Sequence, residues 1–166
     1  MDNMVKKIIS AIIGVIVILN ISACFVNEHI DKNEIREIGE QFNELFLRKN
    51  ADELLDCFCP DIKENRKEET LEEMQRAFDF IDGNITEYKF SMIGFEEEHK
   101  REGIIQYYSI DPICRNVKTD KGNQYTIYYS YCHIYKSQPN YEGIWKITVV
   151  DNDDNEISIG QFYPAE

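Results

Sequence analysis

Positive charge is scarce in this chain: 18 Lys and Arg stand against 31 Asp and Glu, a net charge of -13 at pH 7. A surface of that sign repels phosphate backbones and excludes nucleic acid as the expected partner. It also disfavours docking on anionic lipid through the domain surface, so that a tether is expected to do the holding. Histidine is rarer still, at three residues, and no C-x-x-C pair occurs among the five cysteines. A zinc set therefore lacks its usual spacing. Proline and glycine number only 4 and 8, and neither an internal repeat nor a low-complexity tract is visible. No metal and no cofactor is expected. What is present is an apolar fraction of 43% with ten tyrosines, enough for one folded domain with a core.

The one long apolar run lies at the N-terminus. Lys6 and Lys7 precede an aliphatic stretch from Ile8 to Ile21, which ends in Ser22-Ala23-Cys24. A basic start, an apolar middle and small residues before a cut describe a secretory signal. The cysteine directly after the small pair makes the segment resemble a lipoprotein signal. The resemblance implies cleavage before Cys24 and acylation of its thiol, with the membrane as partner through that lipid. The alternative is an uncleaved anchor, but the run barely reaches the roughly 20 residues a spanning helix needs. Asn20 and Ser22 near its end also argue against a span. Either reading puts the domain outside the cytoplasm. The expected organisation is a signal over residues 1–23, a lipidated tether over 24–30 and one domain over 31–166. Removing the signal takes away one acid, Asp2, and two bases, so the remainder is more acidic still.

After the tether the apolar period is helical. Asp31, Asn50 and Thr70 each stand three residues before a glutamate, the arrangement that caps a helix start. Ile35, Ile38, Phe42, Leu45 and Phe46 form a first stripe, and Leu54, Leu55 and Phe58 a second that stops at Pro60. Leu71, Met74, Phe78 and Ile81 form a third, ended by Gly83. Helices are predicted over 33–48, 51–58 and 70–82. The period then becomes two, and strands are predicted over 85–95, 103–110, 124–135 and 143–150. Helices first and an antiparallel meander after is an α+β plan. Alternation along 124–135 puts Tyr125, Ile127, Tyr129, Tyr131, His133 and Tyr135 on one face, expected against the helices. Trp145, Ile147 and Val149 are expected to face inward with them.

This order of elements resembles the nuclear transport factor 2-like, or cystatin-like, superfamily, and within it uncharacterised lipoproteins of Gram-positive bacteria, a domain-of-unknown-function family. The likeness rests on Phe42-Asn43-Glu44-Leu45-Phe46 through Phe58-Cys59-Pro60 and on Phe80-Ile81-Asp82-Gly83-Asn84-Ile85. It continues in Lys118-Thr119-Asp120, in Tyr125-Thr126-Ile127-Tyr128-Tyr129 and in Glu142-Gly143-Ile144-Trp145-Lys146-Ile147. It implies helices lying in the hollow of a curved antiparallel sheet. It implies no activity, because folds of this kind host many.

Several constellations invite a functional reading. His133 beside tyrosines suits acid-base work near neutral pH, but no carboxylate shares its strand face, and a satisfied or rim-exposed histidine is the expected reading. Cys57, Cys59, Cys114 and Cys132 fit small apolar core residues, although two disulfides remain arithmetically open. Asp151, Asp153 and Asn155 alternate like the front of a calcium loop. Glu156 and Phe162 then stand where that loop needs glycine and a bidentate glutamate, so a solvated turn is expected. Glu96 to Glu102 reads as a charged hairpin tip. Tyr129, Tyr131, His133 and Trp145 are the candidate lining of a ligand pocket, against the plainer reading that they are core. The function expected is a non-enzymatic extracytoplasmic lipoprotein that binds a small ligand or a protein partner; the alternative is an extracytoplasmic enzyme using a pocket in the hollow. The anchor is directly testable: Cys24→Ala should abolish incorporation of a fatty-acid probe and leave unprocessed precursor, and equal labelling of the mutant would refute acylation at this residue.

Overall fold

The computed structural model describes residues 28–92 and 94–163. The signal segment and Cys24 lie outside the described residues. Among these, four helices precede a seven-stranded antiparallel sheet, an α+β fold, and no helix is long and apolar enough to cross a membrane.

Helix α1, Lys32–Leu47, starts where the Asp31 carboxylate accepts hydrogen bonds from the Asn33 and Glu34 amides. Ile35, Phe42 and Phe46 fall on one face and are buried. Helix α2, Ala51–Asp56, is capped in the same way by Asn50, which accepts from the Glu53 amide. Pro60, read from sequence as a stop, instead opens a further helix α3, Pro60–Asn65. A proline costs nothing there, because the first N–H of a helix has no partner to lose. Helix α4, Lys67–Phe80, begins before Thr70, which sits buried within the helix with its hydroxyl unpartnered and caps nothing. Arg66 closes that end through Glu69 and Glu73, 2.8 and 3.4 Å away.

The sheet comprises β1 (Ile85–Ser91), β2 (Glu96–Arg101), β3 (Ile104–Ile110), β4 (Ile113–Thr119), β5 (Gln124–Tyr135), β6 (Gly143–Asp151) and β7 (Glu156–Gly160). Strand β5 is the spine. One edge pairs along β6. The other pairs with β4 over its first half and with β3 over its second. Between them the Tyr129 amide donates to the Pro112 carbonyl at 3.0 Å. So β3 and β4 run in succession along the same edge of β5, and β2 and β1 continue the sheet beyond them. The crease lies at Asp111-Pro112, where proline offers no ladder donor. It crosses Gly94, whose added Cβ would fall 1.6 Å from the Asp111 carbonyl oxygen. Only glycine fits there. The predicted strand over 85–95 is thus broken, and residues 96–101 form strand β2; the hairpin tip is Glu102-Gly103, with both φ angles positive.

Helix α1 lies across the hollow this bend creates. Phe42 packs 4.9 Å from the Tyr129 ring and 5.7 Å from Tyr131, centroid to centroid. Beneath them the Tyr129 hydroxyl donates to Asn43 Oδ1 at 2.9 Å, with both residues buried. Helix α4 runs along β7, and the Glu73 carboxylate accepts from the Gly160 amide at 2.8 Å.

Two single-residue bulges shift the expected alternation. On β5, Tyr108 pairs with Ile134 and Ser109 with Cys132, leaving His133 as the extra residue. On β6, Tyr131 pairs with Ile144 and Ser130 with Lys146, leaving Trp145 extra. Tyr135 and Trp145 both pack on Tyr107, at 5.1 and 6.4 Å. Tyr107 points away from α1, because adjacent Tyr108 accepts a hydrogen bond from Lys32 on that helix. Tyr135 and Trp145 therefore leave the inner face on which alternation alone would put them.

The Tyr129–Asn43 bond makes a graded prediction for equilibrium unfolding. Tyr129→Phe should cost about 1–3 kcal/mol, because it strands a buried amide oxygen. Tyr129→Ala should cost about 3–5 kcal/mol by opening a cavity. Equal small losses for both would show that the ring is not under α1.

Candidate functional site

The open end of the hollow is a cleft of about 440 Å³. Ile38 and Phe42 of α1 form one wall, and Tyr131, Cys132 and His133 of β5 another. The α2–α3 junction from Asp56 to Pro60, with Lys63, closes a third side, and Glu142-Gly143 forms the floor. The floor is built by close approach. Gly143, at φ +131°, carries no side chain because a Cβ would come within 2.7 Å of the Cys59 amide nitrogen. The chain there forms a parallel bridge between Phe58 and Ile144, which ties α2 and α3 to β6.

A second cleft of about 370 Å³ lies on the far side of His133, under the start of α1, between Asp31, Glu34, Ile134 and Lys136. His133 and Glu142 line both clefts. The bulge explains this: it turns His133 and Ile134 to the helix side in succession, so the imidazole stands as the partition between them.

The chemistry of this point is set by burial. Burial lowers the His133 pKa below its ordinary 6.5, while the carboxylates of Glu34 and Glu142 push weakly the other way. The ring is accordingly neutral at pH 7. Its Nδ1 lies 3.2 Å from the Tyr131 hydroxyl. Burial raises the Tyr131 pKa, so the phenol keeps its proton. A phenol donating to Nδ1 leaves the ring proton on Nε2. Glu142 is held by the Tyr135 amide, which donates to Oε1 at 2.7 Å. These carboxylates do not share the strand of His133: Glu34 comes from α1 and Glu142 from the connection before β6, and the fold brings them near.

Of the four residues predicted to line a pocket, Tyr131 and His133 meet at this cleft. Tyr129 lies deeper, 1% exposed under α1. Trp145, also 1% exposed, packs on the other face against Tyr107, Phe162 and Tyr163, and its indole N–H donates to the Tyr141 carbonyl. The four described cysteines are free thiols. Burial raises the pKa of Cys57 and Cys59 and pushes Cys114 and Cys132 up to about 12, which leaves them poor nucleophiles. Asp151 spends its carboxylate on the β6–β7 turn, accepting from the Asp153 and Asn155 amides and the Asn155 side chain, each at 2.9 Å.

A family model described as a domain of unknown function (DUF5104) matches residues 41–152, and the chain belongs to that family. The match runs from the second half of α1 through β6 and takes in the lining of the cleft except Ile38. No curated protein matches the chain.

Neutral His133 makes stability depend on pH in a defined direction. Its folded pKa lies below 6.5, so the unfolded chain takes up the proton more readily. The stability that the neutral ring contributes is complete above 6.5 and is lost as pH falls through the folded value. Denaturant melts at about pH 7.5 and about pH 5.5 should show a smaller loss for His133→Gln than for wild type. An equal loss in both would show that His133 is not buried.

Proposed function

We propose that this protein is a lipid-anchored extracytoplasmic binding module, held at the outer face of the cytoplasmic membrane through Cys24, whose cleft takes a small organic ligand. The fold is read as nuclear transport factor 2-like, supported by helices that precede a curved, unclosed antiparallel sheet and lie in its hollow. The observation that carries the reading is the composition of the cleft. Ile38, Phe42 and Phe58 offer apolar contact, while His133, Glu142 and Asp56 offer polar groups at its rim. That lining suits a ligand with an apolar body and a hydrogen-bonding head. A protein partner would use the outer surface instead.

One observation favours the enzymatic alternative. A neutral imidazole oriented by Tyr131, with Glu34 and Glu142 nearby, has the elements of a general base. The cation in the same lining, Lys63, donates to the Asp56 carbonyl at 3.0 Å, and binding without turnover is the reading we favour.

A fragment screen read by NMR on the whole protein separates the possibilities. Hits should perturb the His133, Tyr131 and Phe42 signals together, and Ile38→Trp, which fills the cleft, should weaken them at least about tenfold. Hits confined to the outer sheet face would overturn the cleft as the binding site.

A further inference from the structure

We propose that the β2–β3 hairpin tip, residues 100–104, is a docking surface for anionic phospholipid headgroups, so that the domain sits on the membrane in one fixed orientation. The proposal rests on acylation of Cys24. Glu28, the first described residue, is fastened to this hairpin at two points and to Lys136, just after β5, at a third. Its amide donates to the Gly103 carbonyl at 3.1 Å. Its carboxylate accepts from the Ile105 amide at 3.0 Å and pairs with Lys136 at 2.9 Å. Cys24 precedes Glu28 by four residues, a reach of at most roughly 14 Å even if fully extended. Wherever the acyl chains enter the bilayer, the hairpin tip must lie within that distance of them. Two of the three residues between, Phe25 and Val26, are apolar.

The tip has the chemistry for that position. In a chain of net charge -13, it places Lys100 and Arg101 side by side, so that residues 100–104 carry two cations against the single acid Glu102, followed by Ile104, which is 38% exposed. Lys100 meets Glu98 at 3.1 Å, and the Arg101 side chain has no ion pair among the described residues. Anionic headgroups attract these two cations while repelling the acidic remainder, which selects the tip-down orientation over others the tether would allow. Because Glu28 and Lys136 also line the second cleft, that cleft opens at the membrane-facing end.

Hydrogen exchange of the acylated full-length protein tests this. It is measured in detergent, in phosphatidylcholine vesicles and in vesicles rich in phosphatidylglycerol, with fatty-acid incorporation verified on the same sample. Amides of residues 100–104 should exchange roughly tenfold more slowly in the anionic vesicles than in detergent, and the Lys100→Gln/Arg101→Gln double variant should lose that protection while remaining acylated. Unchanged exchange in acylated protein would overturn the docking and leave the anchor intact. Equal protection in phosphatidylcholine would overturn the anionic headgroup as the partner. Wild type carrying no fatty acid would overturn the anchor, and the docking with it.

Discussion

A buried hydrogen bond from the Tyr129 hydroxyl to Asn43 Oδ1 fixes the relation between the central strand and the first helix. Tyr129 and Asn43 are each 1% exposed. Neither polar group has water to fall back on, so any slide of α1 along the hollow would leave both unsatisfied. The aromatic rings around the bond are non-directional and tolerate small shifts; the bond does not. With α1 pinned over Tyr129, Phe42 reaches Tyr131, Ile38 faces the cleft, and Glu34 arrives near His133. The crease at Gly94 and Asp111-Pro112 serves the same end by bending the outer strands around the helix.

The bulges at His133 and Trp145 then divide the aromatic residues between two places. Without the extra residue on β5, Tyr135 would continue the inner face. With it, Tyr135 joins Tyr107 on the outer side, and His133 is left at the mouth of the hollow. The bulge on β6 does the same for Trp145, which becomes the centre of a second cluster with Tyr107, Phe162 and Tyr163. That cluster fixes the C-terminal segment after β7, where Tyr163 stacks on Tyr141 at 4.5 Å. One inserted residue per strand thus separates a packed aromatic cluster from a cleft edged by polar groups.

Much of this was legible before any coordinates. The caps at Asp31 and Asn50, the Ile35-Phe42-Phe46 stripe and the alternation through Tyr125, Ile127 and Tyr129 follow local rules that tertiary packing here reinforces. Other elements carried no local signal. Strand β2 is polar at every position, as suits an edge, and so shows no apolar period. Strand β4 is interrupted at Asn116, whose φ is +54°, and its buried residues do not alternate cleanly. Helix α3 hid behind Pro60, because the same residue that ends one helix can begin another. The site was half visible: Tyr131 and His133 come from one strand, whereas Glu34 is distant in sequence and joins them through the packing of α1, and Glu142 is brought back by the β5–β6 connection and held by the Tyr135 amide. A bulge leaves no fixed mark in a sequence, so the turning away of Trp145 was not readable.

The central claim is that His133 stands half-buried at the junction of the two clefts, its ring kept neutral by that burial. Direct titration of its imidazole carbon signals by NMR tests this most simply. A midpoint below 6.5 is expected, because burial disfavours the charged ring. A midpoint at or above 6.5 would contradict it, and would place the imidazole in solvent rather than between the clefts.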